Sequence, residues 1–427
     1  MASRRISISL TLVTVAFMST AIQTPSTAVT PICPQTTAAH VPYTWEPTST
    51  EWLSARQQVA TMTNSQLASA SLMVRYFGSN TKRTSSQSAS NLRLLGARIP
   101  ALALKNLQPS GVAYLRDNAK TAKAAAAEIS LNEAQTSPWF ATAVDQEGGA
   151  INRLSGDIEP PLAAFRIGAV NKTWVAKTVA EKSAKQLRAA KIKVVFAPVA
   201  DVKSSVSSTS MSQRMLGSDA AKVGVLIKAQ LQGYGQQGVL ATVKHFPGLG
   251  GVKADTHKSI AQYAFSKQRL CSVDLAPFRA AVSGGAPSIM VGHGIYSGFG
   301  GDPASGNEVL VTQLLRQEMG FNGIIITDSM TMKGAQANLD PNENLYRRAL
   351  QAGVDVILMP GNPVLVKRLI AKDLQSGTIS IEDRRESIAR VIAWQLARER
   401  VAQSSPIYPP GSPELQRAAK VFQSTFN

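Results

Sequence analysis

Eight short apolar runs, rich in β-branched residues, recur along this 427-residue chain with helical stretches between them. They read ASLMVRYF, GVAYLR, FATAVDQEGG, VVFAPVADV, VLATVKHF, PSIMVGH, GIIITD and VDVILMP. An apolar run without polar alternation suits a strand buried on both faces, as in a parallel sheet. The segments KTWVAKTVAEKSAKQLRAA, DAAKVGVLIKAQLQGYGQQG, LAPFRAAVSGG and NENLYRRALQAG carry helical periodicity, with a glycine near each C-terminal end. Eight strands alternating with helices predict an α/β fold of the (β/α)8 barrel type, which needs about 250 residues. A doubly wound open sheet fits less well, because no GxGxxG joins a strand to a helix. One barrel over residues 51–403 is expected, with the Ser-rich stretches SNTKRTSSQSAS and KSSVSSTSMSQ as loops. Residues 404–427 read as a linker and a closing helix.

The N-terminus departs from this pattern. MASRR followed by ISISLTLVTVAFMSTAI, with small residues at Ser26 and Ala28, has the layout of a signal peptide over residues 1–28. A membrane anchor is the competing reading, but the span is short and Ser/Thr-rich. A Pro/Thr-rich leader over residues 29–50 would follow as a tether or wrap. Export permits a disulfide between the two cysteines, Cys33 and Cys271, with free thiols the open alternative. Lipid attachment at Cys33 is disfavoured by Ile32 and the flanking Pro31 and Pro34. The net charge of +18 arises from scattered residues such as Lys82, Arg83, Lys120, Lys123, Lys182, Lys185, Arg384 and Arg385. With aromatics at 6 % there is little for a base-stacking platform, so an anionic cell wall suits the charge better than nucleic acid. A secreted or wall-associated monomer is expected.

In a barrel of this kind, chemistry gathers at the C-terminal ends of the strands. The last residues of the runs include Asp145, Asp201, Lys244, His245, His293 and Asp328. Each alone is as well explained by a cap or a loop hydrogen bond; their coincidence points to a site. A metal hydrolase would need compact ligand spacing such as H-E-x-x-H, and none occurs, so no metal or other cofactor is expected. Acid/base and nucleophilic work on a glycosidic bond fits better. Asp328, ending GIIITD, is then a candidate nucleophile. The stretch KHFPGLGGVKADTHKS places Asp255 and His257 two residues apart in a glycine-rich loop. Extended backbone would set both side chains on one side, where the carboxylate could orient the imidazole for proton transfer.

Together KHFPGLGGVKADTHKS, DQEGGAINRL, FAPVADV, SQRMLGSD and GIIITDSMTMKGA resemble the β-N-acetylglucosaminidases of glycoside hydrolase family 3, in order from about Leu67 to Gly361. The resemblance implies a retaining exo-β-N-acetylglucosaminidase acting on cell-wall (peptidoglycan) fragments or chitin oligosaccharides. It assigns Asp328 as nucleophile, His257 as acid/base and Asp255 as its partner. Sugar-binding positions fall on Asp145, Arg153, Arg214, Lys244 and His245, with Arg214 open to a structural ion pair. His293 and Asp201 read as supporting residues. The chain departs from the family pattern at Leu249, Ala150 and the TDSM stretch, which leaves fine specificity open. A phosphorylase, a β-glucosidase of the same family and a non-catalytic wall-binding protein are the alternatives.

Overall fold

The computed structural model describes residues 31–34, 42–252, 259, 261–337 and 344–407. The stretch expected to be a signal peptide, much of the expected leader, most of residues 404–427, and Asp255 with His257 lie outside the described residues. Eight parallel strands form the sheet: β1 (Leu72–Val74), β2 (Gly111–Tyr114), β3 (Ala141–Val144), β4 (Val194–Val195), β5 (Leu240–Phe246), β6 (Ser288–Val291), β7 (Ile324–Thr327) and β8 (Ile357–Leu358). Each falls within one of the eight apolar runs. From β1 to β7 each pairs with the next, and β8 pairs with β1 through Leu72↔Ile357 and Met73↔Leu358. The parallel bridge Ile326↔Val356 joins β7 to the start of β8 and completes the ring. The expected α/β barrel is what the chain forms.

Two apolar layers follow from the two-residue period of a strand. Met73, Ala141, Ala143, Val194, Leu240, Met290, Ile324, Ile326 and Leu358 fill the inside of the barrel. Leu72, Val74, Val144, Val243, Ile289 and Ile325 point outward, into the layer shared with the helices. Trp394 and Val391, on the long helix Ile381–Gln403, pack with the inner layer. All four predicted helices form, as Thr173–Ala189, Ala220–Gly235, Ala276–Ser283 and Leu345–Gln351.

Two expectations are corrected and one left open is narrowed. The stretch read as a Ser-rich loop at 79–90 contains the start of helix Ser85–Leu95, because Thr84 and Gln87 form a capping box and Asn91 and Leu95 are buried. Of the two readings of the leader, tether or wrap, the described part behaves as a wrap: Trp45 is buried and its indole N–H donates to Gly285 O at 3.0 Å. Arg384, counted above among the scattered residues that would face an anionic wall, is not on the surface. It is buried and donates to Val354 O, while Arg316 and Arg390 bind the two oxygens of Asp355 at 2.8 and 2.7 Å. The structure joins Cys33 to Cys271 by a disulfide.

Candidate active site

The inward layer does not stop at the last apolar residue. Continuing each strand by its own period, Ala141 and Ala143 lead to Asp145, Leu240 leads through Thr242 to Lys244, and Ile324 and Ile326 lead to Asp328. Inward strand faces therefore deliver two carboxylates and an ammonium to the C-terminal mouth of the barrel, as the sequence expectation required.

Lys244 is almost wholly buried and is held by two carboxylates, Asp145 Oδ1 at 2.8 Å and Glu147 Oε1 at 2.7 Å. Burial pushes the Lys244 ammonium down, but Asp145 and Glu147 more than offset it and raise its pKa. Glu147 also takes a two-pronged pair from Arg214, with Nε and Nη2 both at 2.8 Å. Burial pushes Glu147 up, yet Lys244 and Arg214 outweigh it and hold the carboxyl at about 2. Arg153 lies 3.9 Å from the other oxygen of Asp145. An ammonium has three donors, so Lys244 retains one beyond these two carboxylates. Asp145, still partly exposed, keeps acceptor capacity.

Sequence reasoning missed Glu147. The signal was present, since it stands two residues from Asp145, but DQEGG was read as one strand end. The structure instead turns there into a two-stranded hairpin, Gln146–Gly148 with Ile151–Asn152. Gln146 ties it together by accepting from the Arg153 and Leu154 N–H groups at 2.9 and 3.1 Å.

At Lys244 the register with β6 gains one residue, from Lys244↔Met290 to Phe246↔Val291, and the Lys244–His245 peptide is cis. His245 has its own carboxylate, the fully buried Asp201, which meets ring Nδ1 at 2.8 Å and accepts the Leu249 N–H at 2.8 Å. As a carboxylate Asp201 can only accept, so Nδ1 carries a hydrogen and Nε2 is left to face the site. His293 is buried, with Nδ1 at 2.8 Å from Ser305 Oγ and Nε2 at 3.1 Å from Ser329 O. Both histidines bear on Asp328. Burial raises that carboxyl, but His245, His293, the Ser329 N–H at 2.7 Å and Lys244 bring it below the usual carboxylate range. Asp328 is therefore ionised and only partly accessible, the state a nucleophilic carboxylate needs.

Of the predicted residues, the structure brings Asp145, Arg153, Arg214, Lys244, His245 and Asp328 to one mouth, with Asp201 and His293 behind them. Among the described residues no group of three His, Cys, Asp or Glu side chains could hold a metal ion.

Against this geometry, the sequence pattern of the glycosyl hydrolase family 3 N-terminal domain matches residues 102–394. The chain belongs to glycosyl hydrolase family 3. Family 3 relatives include a beta-hexosaminidase of Vibrio cholerae, 34 % identical over 51 % of this chain and 64 % of its own length. The match therefore spans a little under two thirds of that relative. A beta-hexosaminidase of Xylella fastidiosa is 31 % identical over 62 % of this chain and 81 % of its own length. Among solved structures, a family 3 beta-N-acetylglucosaminidase from Paenibacillus aligns with a TM-score of 0.73 at 24 % identity, over 85 % of this chain and 68 % of that one. The M. tuberculosis protein LpqI aligns at 0.68 and 26 % identity, over 79 % and 95 %. A beta-glucoside phosphorylase shares the fold at 0.75 and 19 % identity, over 88 % and 67 %.

Proposed function

We propose that the protein is an exported, retaining exo-β-N-acetylglucosaminidase that removes terminal N-acetylglucosamine from cell-wall fragments or chitin oligosaccharides. The observation that carries it is Asp328: an ionised carboxylate on the inward face of β7, set against Lys244 and His245 in a family 3 barrel. Its relatives named beta-hexosaminidase support the sugar. The disulfide and the net charge of +18 support an oxidising, anionic surrounding outside the cell.

In this reading an Asp328 oxygen attacks the anomeric carbon as the bond to the leaving oxygen breaks, and His257 gives that oxygen its proton. Water then attacks the glycosyl ester while His257 takes a proton back, releasing Asp328 and the sugar. Asp255 orients the imidazole. In the same reading Lys244, Arg153 and Asp145 meet sugar hydroxyls, and Arg214 acts through Glu147.

The test is release of an aryl group from a β-N-acetylglucosaminide and from a β-glucoside by wild type and Asp328→Asn. Turnover of the first that falls by at least about 10³-fold in the variant is expected. Equal turnover by the variant would overturn the nucleophile, and activity on the glucoside alone would overturn the sugar. The same assay in phosphate buffer should give free sugar; sugar 1-phosphate would make the protein a phosphorylase.

A further inference from the structure

Asp274 ends the π-helical turn Leu270–Asp274, and its carboxyl is fully buried. One oxygen accepts from the Tyr263 hydroxyl and lies 3.7 Å from Arg269 Nε; the other has no hydrogen-bond partner among the described residues. Such a group is costly to bury, and an apolar side chain of similar size would cost less. Burial pushes it up to about 6, against the pull of Tyr263 and Arg269 and with a push from Asp201. The catalytic reading above gives it no task.

Its position supplies one. Asp274 stands between the outgoing and returning ends of the segment that carries Asp255 and His257. On the outgoing side Gly248 has φ +128, and a Cβ there would lie 3.0 Å from Asp274 Cβ. Gly248 O accepts from Tyr296 at 2.7 Å, and the next N–H, from Leu249, is the one held by Asp201 behind His245. On the returning side Tyr263 forms an antiparallel bridge with Val252, and the Ala264 N–H donates to Gly251 O at 2.8 Å. The Tyr263 ring also packs on Tyr296, 5.1 Å between centroids.

We propose that Asp274 is a positioning residue for proton transfer. Through Tyr263 it fixes the Val252–Tyr263 stem, and through Gly248 it braces the turn that holds Asp201 against His245. The proposal rests on His257 as acid/base, because that residue leaves from this stem.

A leaving-group series separates positioning from mere stability. A 2,4-dinitrophenyl β-N-acetylglucosaminide departs without a proton; the 4-methoxyphenyl analogue needs one. Tyr263→Phe removes the donor and Asp274→Ala the acceptor. Either should lower kcat/KM, which reports the bond-breaking step alone, about tenfold more on the methoxyphenyl substrate than on the dinitrophenyl substrate, the scale of one lost hydrogen bond. Asp274→Asn, which keeps an acceptor oxygen for Tyr263, should recover most of that loss. His257→Ala should show the same selectivity in stronger form. If His257→Ala is selective while the folded Tyr263→Phe or Asp274→Ala variant loses both substrates equally or neither, Asp274 does not position the proton donor. If His257→Ala is itself unselective, the acid/base reading falls and this proposal with it.

Discussion

Glu147 accepts from an ammonium and a guanidinium at once, with its side chain only 4 % exposed. Replacing it with Gln leaves Arg214 without a carboxylate and Lys244 with Asp145 alone. Breaking a buried ionic network from one side costs about 3–5 kcal/mol, so Glu147→Gln should unfold at markedly lower urea and show a raised KM. The pH dependence has a definite sign. The folded carboxyl is held at about 2, below its ordinary value of 4.5, so its stabilisation is complete above pH 4.5. It is lost as pH falls from there toward 2. The gap between wild type and Glu147→Gln should therefore narrow across that window and be constant from pH 5 to 7. Lys244 was legible in the sequence because strand ends in a barrel converge, and Arg214 only through the family resemblance of SQRMLGSD. Which carboxylate would pair with which cation was not, since Asp145, Glu147 and Arg214 meet only through a hairpin and a loop whose paths depend on tertiary packing.

The hairpin that carries Glu147 is pressed against the chain that follows it. At Gly148, with φ +95, an added Cβ would lie 2.5 Å from Pro161 O and 2.7 Å from Leu162 O. Gly148→Ala should destabilise by about 2 kcal/mol and raise KM by displacing Glu147 and Asp145, whereas an unchanged KM would detach the hairpin from binding. The strands were readable because continuous apolar runs admit few other fates in a chain with this alternation. Helix Ser85–Leu95 was not, because serines and glutamine mask a periodicity that only Asn91 and Leu95 make visible. The capping box at Thr84 was the overlooked cue.

Across the molecule, the bridge between Cys33 and Cys271 closes a loop with a sequence separation of 238. Cys33 also anchors by donating its N–H to Glu318 Oε1 at 2.9 Å, and Arg279 donates to the carbonyls of Cys271 and Cys33 at 2.8 and 3.1 Å. Reducing the disulfide should lower unfolding stability by about 2–4 kcal/mol, measured by denaturant titration with and without reductant. An identical midpoint would show the bridge to be idle. The sequence offered this pair as an open option, because cysteine count says nothing about the distance between chain positions 33 and 271. The inward alternation of Ile324, Ile326 and Asp328 carries a last consequence, for how the barrel finds its pairing. A slip of β7 by one residue would turn Asp328 out among the apolar side chains beneath the helices and strip it of His245, His293 and Lys244. A slip of β5 would do the same to Lys244. Misaligned barrels thus bury bare charge, so the side chains offered for chemistry also act as proofreaders of strand alignment while the chain folds.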